Sequence, residues 1–352
     1  MPEFVDRPTP ITFHPTRPPL RVSMAPGADA GVNQPCHGAT GGVQNRGGKV
    51  LVNPLIVPVF WGAAYSTALP DGSPSGVPSE NADQCVNLIV DMCKHGFFAG
   101  IEQYGVKNVF TLGPQVIVDG TTPPSVTTTD AIQTTVQGWL ANNPVITKPS
   151  DALNQFAQGI ASGELPNEAS TIVPDPCYIL FLPPNMTVSD EPGAGGYHFF
   201  LSFQDPVPFA VIFTNSVPSG TDGAGFAGTV APLVGHELVE MMTDPYIDAW
   251  LNATTGCEIG DLCECKDQSP TCAAGLNTVA YIGKWNLELY WSNAINGCLA
   301  APTTPIVAPP PVVVGTPIEG IGGDSTQSSS TPIGGYQPGH IYGSPDRLKG
   351  PN

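Results

Sequence analysis

Residues 235–245 read GHELVEMMTDP, and the alternation of polar and apolar residues in them decides the fold and the site together. They fit the last turns of a helix that begins near Ala224 and stops before Pro245. Val230, Val234, Leu238 and Met241 recur at helical spacing as a buried stripe. Asp244-Pro245 is a natural stop, because proline disfavours helical geometry in the residue before it. His236 and Glu240 lie on another face, four positions apart, so their side chains stand one turn above each other. That spacing lets an imidazole nitrogen and a carboxylate oxygen reach one cation, each at about 2 Å. Glu237 is rotated roughly 100° from His236, which leaves it leaning over the cation's open side without being a ligand. Gly235, directly before the histidine, permits close approach of a neighbouring strand or a substrate.

An H-E-x-x-E helix follows the logic of the zincin helix, in which two ligands at this spacing flank a glutamate that takes a proton from water at the metal. Here Glu240 stands where a second histidine would be. The bland alternative is a surface helix with solvated acids, but the surroundings, VGHELVEMM, are apolar and unpaired carboxylates are costly there. A third ligand is required. Glu258 in CEIGDLC (residues 257–263) ranks first, Asp261 second and Asp244 third, the last having a ready explanation as a helix stop. Zn suits such a set. Two carboxylate ligands weaken the metal as a Lewis acid and open the site to harder cations, Mn or Ca. His198, in GGYHFF (residues 195–200), is a candidate to polarise a carbonyl or add a ligand, against the simpler reading of a buried structural histidine.

Thirty acidic against 12 basic side chains give a net charge of −18, which excludes nucleic acid as a main partner. Charged residues at 12% are about half the usual share, and 40 Gly with 40 Pro take their place, so the chain is rich in loops. Five of the nine cysteines (Cys257, Cys263, Cys265, Cys272 and Cys298) cluster near the C-terminus. Cys263-x-Cys265 lacks the C-x2-C spacing of structural zinc sites, so disulfides are favoured over a metal knot, and with them an extracellular setting. Two glycan acceptor triplets, at Asn185 and Asn252, point weakly the same way. The opening MPEFVDRPTPITFHPTRPPLRVS lacks the apolar core of a signal peptide, and no later segment has the length of a membrane span.

Composition divides the chain into three regions. Residues 1–48 read as an irregular Pro/Gly-rich arm, 49–300 as one body, and 301–352 as a Pro/Gly/Ser-rich disordered tail too poor in apolar residues to fold alone. Within the body, residues 50–61 are apolar and β-branched but carry Pro54 and Pro58, which predicts a strand with a bulge or an irregular edge. Ser79 caps an expected helix to about Phe98. Residues 114–118 read as a strand. Helices are expected over 129–141 and 150–161, the second with Leu153, Phe156, Ala157 and Ile160 in register. Strands are expected at 177–182, 198–203 and 209–214, and a core strand at 285–293. The order defines an α/β or α+β fold: a zincin-like mixed sheet flanked by helices, one HExxE helix, and a Cys-rich C-terminal region.

GHELVEMMTDPYIDAW, CEIGDLC and WSNAINGC, with VPVFWG and GGYHFF upstream, resemble the EXORDIUM or phosphate-induced protein family of plants and its bacterial and fungal relatives. The resemblance spans about residues 50–299. It implies a zincin-like fold, an extracellular or cell-wall setting, and His236, Glu237, Glu240, Glu258 and Asp261 as the residues to carry over. The chain departs from the pattern in its lack of a recognisable leader, its long tail and its additional Cys265 and Cys272. The expectation is an extracellular metal-dependent hydrolase, a zinc metallopeptidase with Glu237 as general base acting on a peptide or cell-wall substrate. The alternative is a non-catalytic cell-surface or wall-associated module with a structural metal.

Overall fold

The strand Pro54–Trp61 is buried along its whole length, and its alternation assigns the layers of the fold. Ile56 and Phe60 point into one apolar core, while Leu55, Val57, Val59 and Trp61 point into another on the opposite face. A sheet apolar on both faces requires cover on both, and helices supply it. The computed structural model describes residues 21–23, 36, 42–68, 74–117, 123–142, 146, 148–191, 194–201, 206–214, 225–263, 278–282, 285–299 and 341–343.

The described residues form four α-helices: α1 (Glu80–Lys94), α2 (Thr129–Asn142), α3 (Pro149–Ser162) and α4 (Gly225–Thr243). Side chains of α1 and α4 belong to the first core, those of α2 and α3 to the second. The central sheet is mixed, as expected. Its order is Arg21–Ser23, Ala194–Leu201, Val207–Ile212, Asp175–Phe181, Pro54–Trp61, Phe110–Leu112 and Ile341–Gly343, with Gln115–Ile117 also on Pro54–Trp61. The middle of the sheet is parallel, and Ala194–Leu201 runs antiparallel to Val207–Ile212.

Several expectations need correction. The Pro54–Trp61 strand is interior, not an edge. The irregularity lies in its neighbour, which is split: Leu55 and Ile56 pair with Phe110 and Thr111, and Val59 to Trp61 pair with Gln115 to Ile117. Pro58 falls in the gap, where its missing N–H leaves no partner wanting. The helix expected to reach Phe98 stops at Lys94, because Gly96 adopts a left-handed φ of 74° and starts a 3-10 segment, Phe97–Tyr104. On α3 the buried residues are Ala152, Phe156 and Gly159, and Leu153 is exposed, so the helix is turned by about one residue from the expected register. The core strand expected at 285–293 is two strands, Trp285–Glu288 and Tyr290–Ser292.

The ends of the chain touch the body where they are described. Arg21–Ser23 pairs with the strand Ala194–Leu201, and Ile341–Gly343 pairs with Phe110–Leu112. Val43–Asn45 pairs with Trp250–Asn252, and Cys36 is bonded to Cys257. Apart from residues 42 and 46–48, the remainder of the expected arm and tail lies outside the described residues. A second disulfide joins Cys263 to Cys298, while Cys85, Cys93 and Cys177 are buried thiols. Cys265 and Cys272 lie outside the described residues. Closing loops of 221 and 35 residues removes chain entropy worth about 5 and about 4 kcal/mol respectively.

The Cys263→Ala/Cys298→Ala double variant is therefore expected to unfold at lower urea concentration, with a loss of about 3–4 kcal/mol and a steeper slope, since the unbridged denatured chain exposes more surface. Denaturation monitored by tryptophan fluorescence checks it.

Candidate metal centre

Helix α4 is apolar on every side, and from Val230 to Asp244 each residue is buried. Such a helix belongs inside the protein, and here it lies between the sheet and the strand Trp285–Glu288. Its polar residues are buried with it. His236, Glu237 and Glu240 are 1%, 0% and 2% exposed. The surface-helix alternative is thereby removed.

Three further segments converge on these residues. The strand Ala194–Leu201 brings His198, since Tyr197 and Phe199 face the opposite core. Its Gly196 lies against Glu237, where an added Cβ would stand 2.8 Å from Oε1 and 2.7 Å from the Val211 carbonyl oxygen. The turn over residues 257–263 brings Glu258 and Asp261. Both of its flanking cysteines are bridged, one to Cys36 and one to Cys298, as the sequence leads one to expect of that segment. Gly260 within it touches the helix: a Cβ there would be 2.8 Å from Glu240 Oε1 and 2.9 Å from His236 Nδ1. The third segment, Trp285–Glu288, brings Glu288. Gly235, expected to admit a strand or substrate, receives the Phe97 ring and the Leu287 side chain of this strand instead.

His236 Nε2 is 3.2 Å from Glu240 Oε1 and 4.0 Å from Asp261 Oδ1, and these three residues place donor atoms within 4.8 Å of one another. Its other nitrogen, Nδ1, is 3.2 Å from Glu288 Oε2. A carboxylate behind one ring nitrogen holds the proton there and leaves the opposite lone pair free for a metal. Nε2 has no hydrogen-bond partner. The Asp261 backbone N–H donates to Glu240 Oε1 at 3.1 Å, and the Glu258 N–H donates to Asp261 Oδ2 at 3.1 Å, so the turn orients both carboxylates.

Glu258 is buried but does not join His236. Its Oε1 lies 3.4 Å from His198 Nε2. The ranking of Glu258 above Asp261 as third ligand is thus reversed by the geometry. Asp244 joins neither donor group: its Oδ1 accepts from the Asp248 and Ala249 N–H groups, both at 2.7 Å, and shapes the chain leaving α4. His198 Nδ1 lies 3.7 Å from Glu237 Oε2 and from Glu240 Oε2. Cys36 and Cys257 are near Asp261 too, but their disulfide leaves no thiolate to donate. Sequence reasoning misses Glu288. Its one signal is an acid inside the apolar run WNLELYW, residues 285–291.

Six carboxyl groups (Glu237, Glu240, Glu258, Asp261, Asp244 and Glu288) share this dry region with two imidazoles. Even with both imidazoles charged, four negative charges would be unmatched, which is prohibitive without protons or cations. Burial pushes Glu237, Glu258, Glu288 and Asp244 above the usual carboxylate range. Burial opposes charge on His198 and His236, yet the surrounding carboxylates more than offset it and raise both. Glu240 is lowered: burial opposes this, but His236 and the Asp261 N–H outweigh it. The donor set around His236, one imidazole with an unpartnered Nε2 and the carboxylates of Glu240 and Asp261, could hold a metal ion.

No family model, curated protein or solved structure matches the chain. No helix among the described residues is long and apolar enough to cross a membrane. Of the two glycan acceptor triplets, the one at Asn252 is closed: that side chain is 2% exposed and its Oδ1 accepts from the Thr254 and Thr255 N–H groups. Asn185 is exposed.

Glu288→Gln removes the carboxylate behind His236 and is expected to weaken divalent-cation affinity about 10–100-fold, read by competition with a chelating dye. In metal-free protein, the six groups with raised values bind protons more tightly when folded, so folding takes up protons, while Glu240 opposes. Stability then falls as pH rises from about 5 to about 8, and added Zn restores more of it at the upper end. Thermal unfolding with and without chelator across that range checks the sign.

Proposed function

We propose that this chain is an extracellular metal-dependent hydrolase of zincin-like plan, a zinc peptidase in which α4 carries the metal site. The observation that carries the reading is the pairing of His236 Nε2 with Glu240 and Asp261 while Glu288 occupies Nδ1. His236, Glu240 and Asp261 would hold the cation. A bound divalent ion supplies Lewis acidity toward a carbonyl and lowers the pKa of water.

Glu237 is the general base. Both of its oxygens are buried and lack hydrogen-bond partners, so nothing competes for a proton that it takes up. Its raised pKa brings it closer to neutrality, where a base both accepts and returns protons well. His198 faces Glu237 and balances its charge. Asp261 acts as ligand and as organiser of the 257–263 turn. The disulfides agree with an extracellular setting, and the HELVE, EIGD and GGYHFF segments extend the resemblance to EXORDIUM-like proteins to the residues of this centre.

A second reading draws on a specific observation. Every donor is at most 3% exposed, and Asp261 closes the group around His236. Those features suit a cell-surface or wall-associated module that keeps its metal for folding.

One comparison separates them: the full chain and its Glu237→Gln variant, expressed in an oxidising compartment, assayed for bound metal and for hydrolysis of a broad peptide library. The hydrolase reading expects the metal of the His236–Glu240–Asp261 group to be retained and an activity loss of about 10²–10⁴-fold. That metal retained with no Glu237-dependent hydrolysis selects the structural module.

A further inference from the structure

Glu240 has two carboxylate oxygens, and α4 directs them at different imidazoles. Oε1 is 3.2 Å from His236 Nε2, and Oε2 is 3.7 Å from His198 Nδ1. On the His198 side, Glu237 Oε2 also stands 3.7 Å from that nitrogen. His198, Glu237 and Glu240 each offer a donor atom, all within 4.8 Å of one another. This group shares only Glu240 with the His236–Glu240–Asp261 group. Among the described residues no convergent group contains both histidines.

The polar atoms of the second group are unspent. His198 is wholly buried, and neither ring nitrogen has a hydrogen-bond partner. Glu237 is wholly buried with both oxygens unpartnered. An imidazole and two carboxylates that point at a common volume with these atoms unpartnered present a donor set suited to a cation. The placement parallels that of the first group: His236 has Glu288 behind it, hydrogen-bonded at 3.2 Å, and Glu240 in front; His198 has Glu258 behind it at 3.4 Å, within ion-pair distance but not hydrogen-bonded, and Glu240 in front.

We propose that α4 carries a second divalent-cation site, formed by His198, Glu237 and Glu240, beside the site of His236, Glu240 and Asp261, with Glu240 as the carboxylate shared between them. One nitrogen and two oxygen donors select a cation of intermediate hardness, Zn or Mn over Ca. Metals that share a carboxylate in two-metal sites lie about 3.5–4 Å apart. The proposal rests on the metal reading of α4 and adds a consequence to it. Glu237 is the base of the hydrolase, so a cation at the second site takes up the oxygen that would accept the proton. Occupancy there is a brake set by metal concentration.

The test uses the full chain, stripped with a chelator, reloaded with Zn and assayed for bound metal after gel filtration. Two equivalents per chain are expected, falling to one in His198→Asn and to one in Asp261→Asn. Mn(II)-loaded wild type supplies a readout that needs no variant: an exchange-coupled electron paramagnetic resonance spectrum is expected, replacing the hyperfine pattern of isolated Mn(II). One equivalent in the wild type, unchanged in His198→Asn, together with an isolated Mn(II) spectrum, overturns the second site and leaves the first standing. No bound metal in the wild type overturns both. Should His198→Asn fail to fold, the wild-type spectrum decides alone.

Discussion

Charge that water cannot reach is the constraint around which this protein is built. A helix apolar on all sides carries His236, Glu237 and Glu240 into the interior, and Glu258, Asp261 and Glu288 arrive from two other segments. Uncompensated, such a collection would unfold the chain. The fold tolerates it because each acid sits opposite an imidazole, a backbone N–H or a volume that a cation fits. Close approach is what makes the compensation work. Gly196 lets the sheet lie directly on Glu237, and Gly260 lets the disulfide-flanked turn lie on Glu240 and His236. Any side chain at either position would separate donors that must stay within a few ångströms of each other.

The two imidazoles make different use of this crowding. His236 is oriented by Glu288 and meets Glu240 and Asp261 with a free lone pair, which is the geometry of a metal ligand. His198 stands among Glu237, Glu240 and Glu258 with both nitrogens uncommitted. Glu240 faces both, so the state of one side sets the charge available to the other. The group around His236 and the group around His198 are thereby joined through the two oxygens of Glu240.

Local spacing makes α4 legible. His236 and Glu240 one turn apart, with Asp244-Pro245 as the stop, require no tertiary information, and the mixed sheet with flanking helices emerges from apolar runs punctuated by Pro, Gly and Asp. Everything that depends on register between distant segments escapes such a reading. Glu258 and Asp261 are three residues apart, and only the turn geometry, with Asp261 N–H on Glu240, decides that Asp261 meets His236. Glu288 reaches His236 from 52 residues away, and an acid in an apolar run does not announce its partner. Pro58 reads as an edge signal because proline cannot donate to a ladder. The sheet meets the same requirement by splitting the neighbouring strand. Leu153 misleads for a simpler reason: with Ala157 and Ile160 it satisfies helical periodicity as well as the face that is in fact buried.

The disulfide between Cys36 and Cys257 joins residues 221 positions apart, and its companion ends at Cys298. Ribosomes deliver a chain from its N-terminus, so Cys36 emerges long before the thiol it will bond. His198 and the whole of α4 also precede the segment that covers them, and Glu288 is translated later still. The centre is consequently a late product of biosynthesis: a message truncated anywhere between the end of α4 and codon 298 yields every residue of the helix but lacks at least one of the two disulfides that hold the turn above it.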